Sequence, residues 1–297
     1  MTASTPRPPT PPSAAPSIAP SAASSAASAV SADGAPPPAP GPSLEAVDLS
    51  VGYRRDDVLS GLSLAVEPGT VTALVGPNGS GKSTLLTTLA RVQRPRAGEV
   101  RLRGRALGDW SSVEVARQLA LLPQSAVAPA GATVRELVEQ GRYPQLGPWA
   151  MLRRRDDAAM ERALSLAGVG ALADRRLDSL SGGERQRAWI AMALAQETDL
   201  LLLDEPTTYL DVRHQIDLMD LVGRLRDEHA MTVVMVLHDL NQAARYADRV
   251  VALRGGRIIA DGPPAAVVTA EVLREVFEVE ARVVEDPVTG RPLFLAL

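Results

Sequence analysis

The chain has no cysteine at any of its 297 positions. That excludes disulfides and every thiolate-ligated metal site, and it suits a reducing compartment. Lysine is almost as scarce: of 31 basic residues only Lys82 is lysine, the rest being arginine. No apolar run reaches the ~18 residues that would cross a membrane. No basic stripe interrupts the net charge of −4, so the electrostatic footprint of a nucleic-acid binder is missing. No internal repeat or long heptad stretch is visible.

What is present is unevenly distributed. Residues 1–43 hold 12 Ala, 12 Pro and 9 Ser, including half of the chain's 24 prolines. So few large apolar groups do not offset the entropy of ordering, and the stretch reads as a disordered tail. It also lacks the Leu-rich core of a secretory signal. Residues 44–297 are left to build the folded body. There, short aliphatic runs alternate with helical patterns, the order of an α/β domain. Strands are expected at Leu62–Val66, Val71–Val75, Val100–Arg103, Leu200–Leu203, Thr232–Leu237 and Arg249–Leu253, and a helix from Gly81 to about Arg91. From about 125 to 185 the pattern turns helical. In that stretch Thr133-Val134-Arg135-Glu136 fits a capping box, and Asp156-Asp157 stand where a helix N-terminus favours anions. Arg153-Arg154-Arg155 reads as a solvated lead-in to that helix; contact with a membrane partner or lipid headgroups is the alternative. Beyond Ile259 the pattern supports only a helix around Ala270–Phe277 and a strand pair near Arg282–Val284 and Pro292–Leu295.

Gly76-Pro77-Asn78-Gly79-Ser80-Gly81-Lys82-Ser83, followed by Thr84, fits the phosphate-loop pattern G-x-x-x-x-G-K-[ST]. Glycines let the backbone wrap a phosphate with its N–H groups inward, and the helix opening at Gly81 adds its dipole. Lys82 can reach the β- and γ-phosphates of a nucleotide, and the Ser83 hydroxyl can ligate Mg²⁺. The chain's one lysine falls inside this pattern, between strand-like TVTALV and helical LLTTLA. A Gly-rich turn without a ligand is the weaker alternative. Leu200–Leu203 then leads into Asp204-Glu205. Alone, that run would be a strand ending in solvated acids. Beside a phosphate loop, Asp204 is placed to hold Mg²⁺ and Glu205 to polarise an attacking water.

Leu180-Ser181-Gly182-Gly183-Glu184-Arg185-Gln186 is in part a plain capping box, opening a helix through Ala195. The two glycines also leave helix-terminal amides unshielded, a second anion site. In this order and spacing, the three motifs resemble those of the ABC ATPases from about Leu44 to Ile259. The resemblance implies a P-loop NTPase core of α/β class, with an inserted helical subdomain and an N-terminal antiparallel β portion. It implies Tyr53 as the ring stacked on adenine, although an ordinary strand aromatic is the other reading. It implies Gln124 at the metal and water, and His238, after TVVMVL, at the γ-phosphate. Asp211 matches the loop linking two nucleotide sites across a dimer. Ser181, Gly182 and Gly183 would close over the partner's γ-phosphate. His214 and His229 have no match and read as helix-surface residues.

The stretch Asp204–Gln215, with its TTYLD-x-x-HQ wording, resembles the subgroup that powers import of ferric siderophores, haem and vitamin B12. An amphipathic helix with Ile216, Leu218, Met219, Val222 and Leu225 facing a core explains its apolar residues alone. Val134–Val138 and Gly141-Arg142-Tyr143-Pro144 look like the same subgroup, with Gln145 where a histidine is common. The resemblance implies ATP and Mg²⁺ as ligands and an ATP-bound homodimer. It also implies two transmembrane permease subunits, an external binding protein reached through them, and the cytoplasmic face of the membrane. A soluble ABC ATPase acting on nucleic acid or ribosomes is the rival. It is disfavoured by the single nucleotide domain and the absent basic surface.

Overall fold

The computed structural model describes Met1 and residues 41–53, 56–146 and 157–297. Apart from Met1 and residues 41–43, the expected disordered tail lies outside the described residues, as do Arg153–Arg155 and Asp156.

Strand β1 (Leu44–Tyr53) pairs antiparallel with β2 (Asp56–Val66) and with β4 (Ala97–Leu102), and β5 (Arg105–Ala106) adds to β4, giving the order β2-β1-β4-β5. The sequence pattern identified the last part of β2 and, at Val100–Arg103, the latter half of β4, but not β1. β1 buries Leu44, Ala46, Leu49 and Val51, but its pairing shifts register between Ala46 and Leu49, where Asp48 takes a φ of 47°. That bulge breaks the two-residue alternation by which a strand is recognised.

The larger sheet has the order β10-β9-β3-β8-β7-β6. β3 (Val71–Val75), β6 (Leu119–Leu122), β7 (Leu200–Asp204), β8 (Thr232–Val236) and β9 (Arg249–Arg254) run parallel, and β10 (Arg257–Gly262) closes one edge antiparallel. Every residue of β3, β7 and β8 is buried, the reason their sequences are continuous apolar runs. Successive side chains supply opposite faces. Leu74, Leu202 and Val234 join Leu85, Leu86 and Leu89 of the helix Lys82–Leu89 and the inner face of β1, whereas Val71, Ala73 and Leu203 face the other way.

On that second face, between β6 and β7, stand the helices Val134–Gln140, Asp157–Leu166 and Gly182–Leu194. Thr133 caps the first: its hydroxyl accepts from Glu136 N at 3.2 Å while its own N–H donates to Glu136 Oε2 at 2.8 Å. The helix Val212–His229 buries Leu218, Met219, Val222 and Leu225, but Ile216 is 48% exposed. Ile216 lies in the first turns, which run ahead of the core, so its expected burial does not occur. After β10 a short helix that the pattern did not suggest, Pro264–Val267, comes first, and the expected helix is a short α-turn, Ala270–Val272, running into a π-turn, Leu273–Phe277. The antiparallel pair β11 (Ala281–Glu285) and β12 (Pro292–Ala296) follows.

Candidate functional site: a phosphate loop facing three strand ends

The loop after β3 turns on glycines with φ values L-side chains avoid: Gly76 at 148° and Gly81 at 101°. A Cβ on Gly76 would stand 2.1 Å from Leu253 O, and one on Gly81 would stand 2.5 Å from Leu59 Cδ2. Gly76 therefore requires glycine for space as well as for backbone conformation, and Gly81 for its backbone conformation. Gly81 is the N-cap of the helix Lys82–Leu89, so the positive end of the helix dipole falls at the loop.

Lys82 is buried and folds back over its own loop, its Nζ donating to Gly76 O at 2.9 Å and Pro77 O at 3.0 Å. Burial pushes its pKa down, opposed by the nearby carboxylates of Glu205 and Asp204. Ser83 Oγ donates to Asp204 Oδ1 at 2.8 Å. Asp204 ends β7, and burial holds its pKa above the ordinary carboxylate range although the Ser83 bond pulls the other way. Thr84, half-buried, accepts the Thr88 hydroxyl at 2.6 Å through its carbonyl, which stiffens the first turn. Ser80 Oγ is buried without a hydrogen-bond partner, and a Cβ on Gly79 would meet only open space. Pro77 and Asn78 complete the loop. An orphaned hydroxyl, a helix N-terminus and a buried ammonium fit a phosphate group.

Glu205 follows Asp204 in the left-handed region, with φ of 49°. Its Oε1 lies 2.7 Å from His238 Nε2, and its Oε2 accepts from Gln124 Nε2 at 2.5 Å and from Thr208 Oγ1 at 3.2 Å. Gln124 and His238 each stand two residues beyond the ends of β6 and β8, the strands flanking β7. Strand order thus brings together three side chains that are far apart in sequence, at the carboxyl ends of parallel strands. Ser83 and Asp204, bonded to each other, are hard-oxygen donors of the kind Mg²⁺ takes, while Gln124 meets Glu205 through its amide nitrogen. Thr208 was not singled out in the sequence. Its only signal was its place in the TTYLD run.

Other predicted residues lie apart. Tyr53 ends β1 and is 53% exposed. Ser181 caps the helix Gly182–Leu194, its N–H donating to Glu184 Oε2 at 2.9 Å. Among the described residues, no hydrogen bond or ion pair joins Ser181, Gly182 or Gly183 to the phosphate loop or to Glu205. Asp211 is the N-cap of Val212–His229, and the bonds it accepts from His214 N and the His214 ring, at 2.9 and 2.7 Å, hold its pKa low. His214 is not the plain surface residue expected. A Cβ on Gly183 would lie 2.1 Å from His214 Cδ2, so the imidazole is seated on the Gly183 backbone and ties two motifs together. His229 is exposed at the end of its helix, as expected.

A parallel sheet with a phosphate loop at its switch region and carboxylates at the neighbouring strand end defines a P-loop nucleotide hydrolase. The family model described as ABC transporter matches residues 59–208, and the chain belongs to that family; it is an ATP-binding ABC ATPase. Two relatives cover most of it. The ferric enterobactin transport ATP-binding protein FepC of Escherichia coli is 47% identical over 254 residues, 86% of this chain and 94% of that protein. The iron(3+)-hydroxamate import ATP-binding protein FhuC of Bacillus subtilis is 44% identical over 253 residues, 85% of this chain and 94% of that protein. Among solved structures, an inward-facing ABC transporter assigned to the metal-chelate type superimposes with a TM-score of 0.75 at 28% identity, covering 86% of this chain and 98% of that one. The dimeric bacterial cassette MJ0796 gives 0.65 at 26%, covering 74% of this chain and 98% of that one.

Proposed function

We propose that this ATPase energises import of ferric siderophores or a related iron chelate, with haem and vitamin B12 as the alternative cargoes. The observation that carries the cargo class is the 47% identity to a ferric enterobactin transport protein over nearly its whole length. No helix among the described residues is long and apolar enough to cross a membrane. The motor would accordingly work as a peripheral homodimer on the cytoplasmic face, beneath two permease subunits that receive cargo from an external binding protein.

In this reading Gly76–Ser83 and Thr84 cradle the phosphates of ATP, and Tyr53 stacks on the adenine. Lys82, which rests on the carbonyls of Gly76 and Pro77, transfers its hydrogen bonds to phosphate oxygens. Ser83, Asp204 and Gln124 would hold Mg²⁺, which when bound neutralises charge between the β- and γ-phosphates. Glu205 orients and polarises the attacking water. His238, 2.7 Å from it, steadies that carboxylate and meets the γ-phosphate. Ser181, Gly182 and Gly183 present helix-terminal amides to the partner's γ-phosphate, and Asp211 lies at the seam between the two sites.

The test is uptake of a radiolabelled ferric siderophore, haem and cobalamin in cells lacking this ATPase. Loss of one of these, restored by the wild-type chain and not by Lys82→Ala, is expected. Normal uptake of all three, with loss of sugar or amino acid uptake instead, would overturn the cargo assignment.

A further inference from the structure

The turn that begins at Glu205 is closed by its own bonds, from Thr208 N–H to Glu205 O at 3.2 Å and from Leu210 N–H to Thr207 O at 3.3 Å, yet it holds a costly backbone. Glu205 and Tyr209, with φ of 49° and 65°, both occupy the left-handed region without being glycine, a conformation that persists only under outside restraint. Gln124 and His238 hold the Glu205 side chain, and Gln215 restrains the far end of the turn. Its Nε2 donates to Leu210 O at 3.0 Å and Thr207 O at 3.4 Å, while its Oε1 accepts from Gln242 Nε2 at 2.7 Å.

Gln242 belongs to the helix Leu240–Tyr246, whose N-cap, Asp239, directly follows His238. Asp239 Oδ1 accepts the N–H groups of Asn241 and Gln242 at 2.8 and 3.0 Å, fixing the start of that helix. The C-terminal hairpin then grips the helix at both ends. Asn241 Nδ2 donates to Phe294 O at 3.3 Å and Asn241 Oδ1 accepts from Phe294 N at 3.0 Å, so one side chain stands in for the next strand on the free edge of β12. Arg291 Nη1 donates to Ala247 O at 2.9 Å, where the end of the helix favours a cation.

We propose that Gln215 is a positioning residue. Through its amide bridge to Gln242 it ties the Glu205–Leu210 turn to the helix that follows His238, with β11–β12 as the anchor, and so sets the Glu205–His238 contact. The inference rests on the reading of Glu205 as the group that orients water. The phosphate loop takes no part in this chain of bonds, so ATP binding is independent of it.

Hydrolysis by the full-length chain, with Tm measured alongside, tests the bridge. Gln215→Leu and Gln242→Leu are each expected to lower kcat about 10- to 100-fold, the scale of a small misplacement of a reacting group. KM for ATP should stay within about twofold. The double variant should be no slower than the worse single, because both cut one connection. Gln215→Glu keeps the size and the acceptor for Gln242 but loses the donor to Leu210 and Thr207. It should match Gln215→Leu, and it decides the question if the leucine variant folds poorly. Unchanged kcat in the single variants, a rise in KM alone, or multiplicative losses in the double would overturn the bridge. Glu205→Gln serves as the reference. If it hydrolyses ATP normally, the reading of Glu205 fails; if it is inactive while the Gln215 variants are normal, only the bridge fails.

Discussion

Asp204 shows how a single residue trades stability for chemistry. It lies buried at the end of β7 with one hydroxyl partner, Ser83. Burial disfavours its charged form, so its pKa in the fold is raised above the unfolded value. For an acid shifted in that direction, the fold gains from the protonated form at low pH, and the gain is lost as pH rises through the folded pKa. At neutral pH the carboxylate therefore costs the nucleotide-free fold free energy. Asp204→Asn is expected to relieve about 1 kcal/mol of it, seen as a Tm higher by about 2–4 °C at pH 8. The gain should fade below about pH 4, where an ordinary carboxylate is protonated, and ATP hydrolysis should fall sharply at every pH. A lower Tm at pH 8 would mean that the charge stabilises the site instead. Lys82 is the complementary case. It touches loop carbonyls and no core side chain by hydrogen bond, so Lys82→Ala should abolish hydrolysis while leaving the circular dichroism spectrum and the cooperativity of melting intact.

Among the elements, the local signals were the legible ones. The phosphate loop, the apolar run of β7 and the capping boxes at Thr133 and Ser181 are written in consecutive residues, and each forms where its pattern places it. Thr133→Ala should accordingly cost about 1 kcal/mol and lower Tm by about 2–4 °C without altering ATP affinity, because this cap is remote from the loop in the bonding pattern; weakened ATP binding in that variant would contradict it. Non-local features were not legible in local pattern, and the Gln124, Glu205 and His238 cluster was expected only through the resemblance to the ABC ATPases. β1 was missed because a bulge at Asp48 resets its alternation. The meeting of Gln124, Glu205 and His238 depends on the order β6-β7-β8, which no periodicity encodes. The seating of His214 on Gly183 has a clue only in the glycine, and a glycine inside a capping box is over-explained already.

At the scale of the whole molecule, one face is unaccounted for by the single chain. Gly182 borders Tyr209 and Leu210, since a Cβ there would come within 3.8 Å of Tyr209 O and 3.9 Å of Leu210 Cδ2. Next to this pair, Tyr209 is 96% exposed, Val212 72% and Ile216 48%. Apolar side chains presented together beside free helix-terminal amides suit a partner that brings both surface and negative charge. A second copy with ATP on its phosphate loop would meet both requirements, each nucleotide then lying between Gly76–Ser83 of one copy and Ser181–Gly183 of the other. Glu205→Gln keeps the shape of the site and the bonds to Gln124 or His238 in altered form, but removes the carboxylate proposed to orient water. ATP should then persist and hold the pair together. ADP, lacking the γ-phosphate, should leave single copies. Analytical ultracentrifugation of the variant with saturating ATP and Mg²⁺ should show a species of twice the chain mass, absent with ADP. Adding Ser181→Arg to that background should abolish the species by placing a bulky cation over the amides, with ATP binding to each single copy retained. A Glu205→Gln chain that stays monomeric in ATP, or a double variant that still pairs, would place the partner of this face elsewhere.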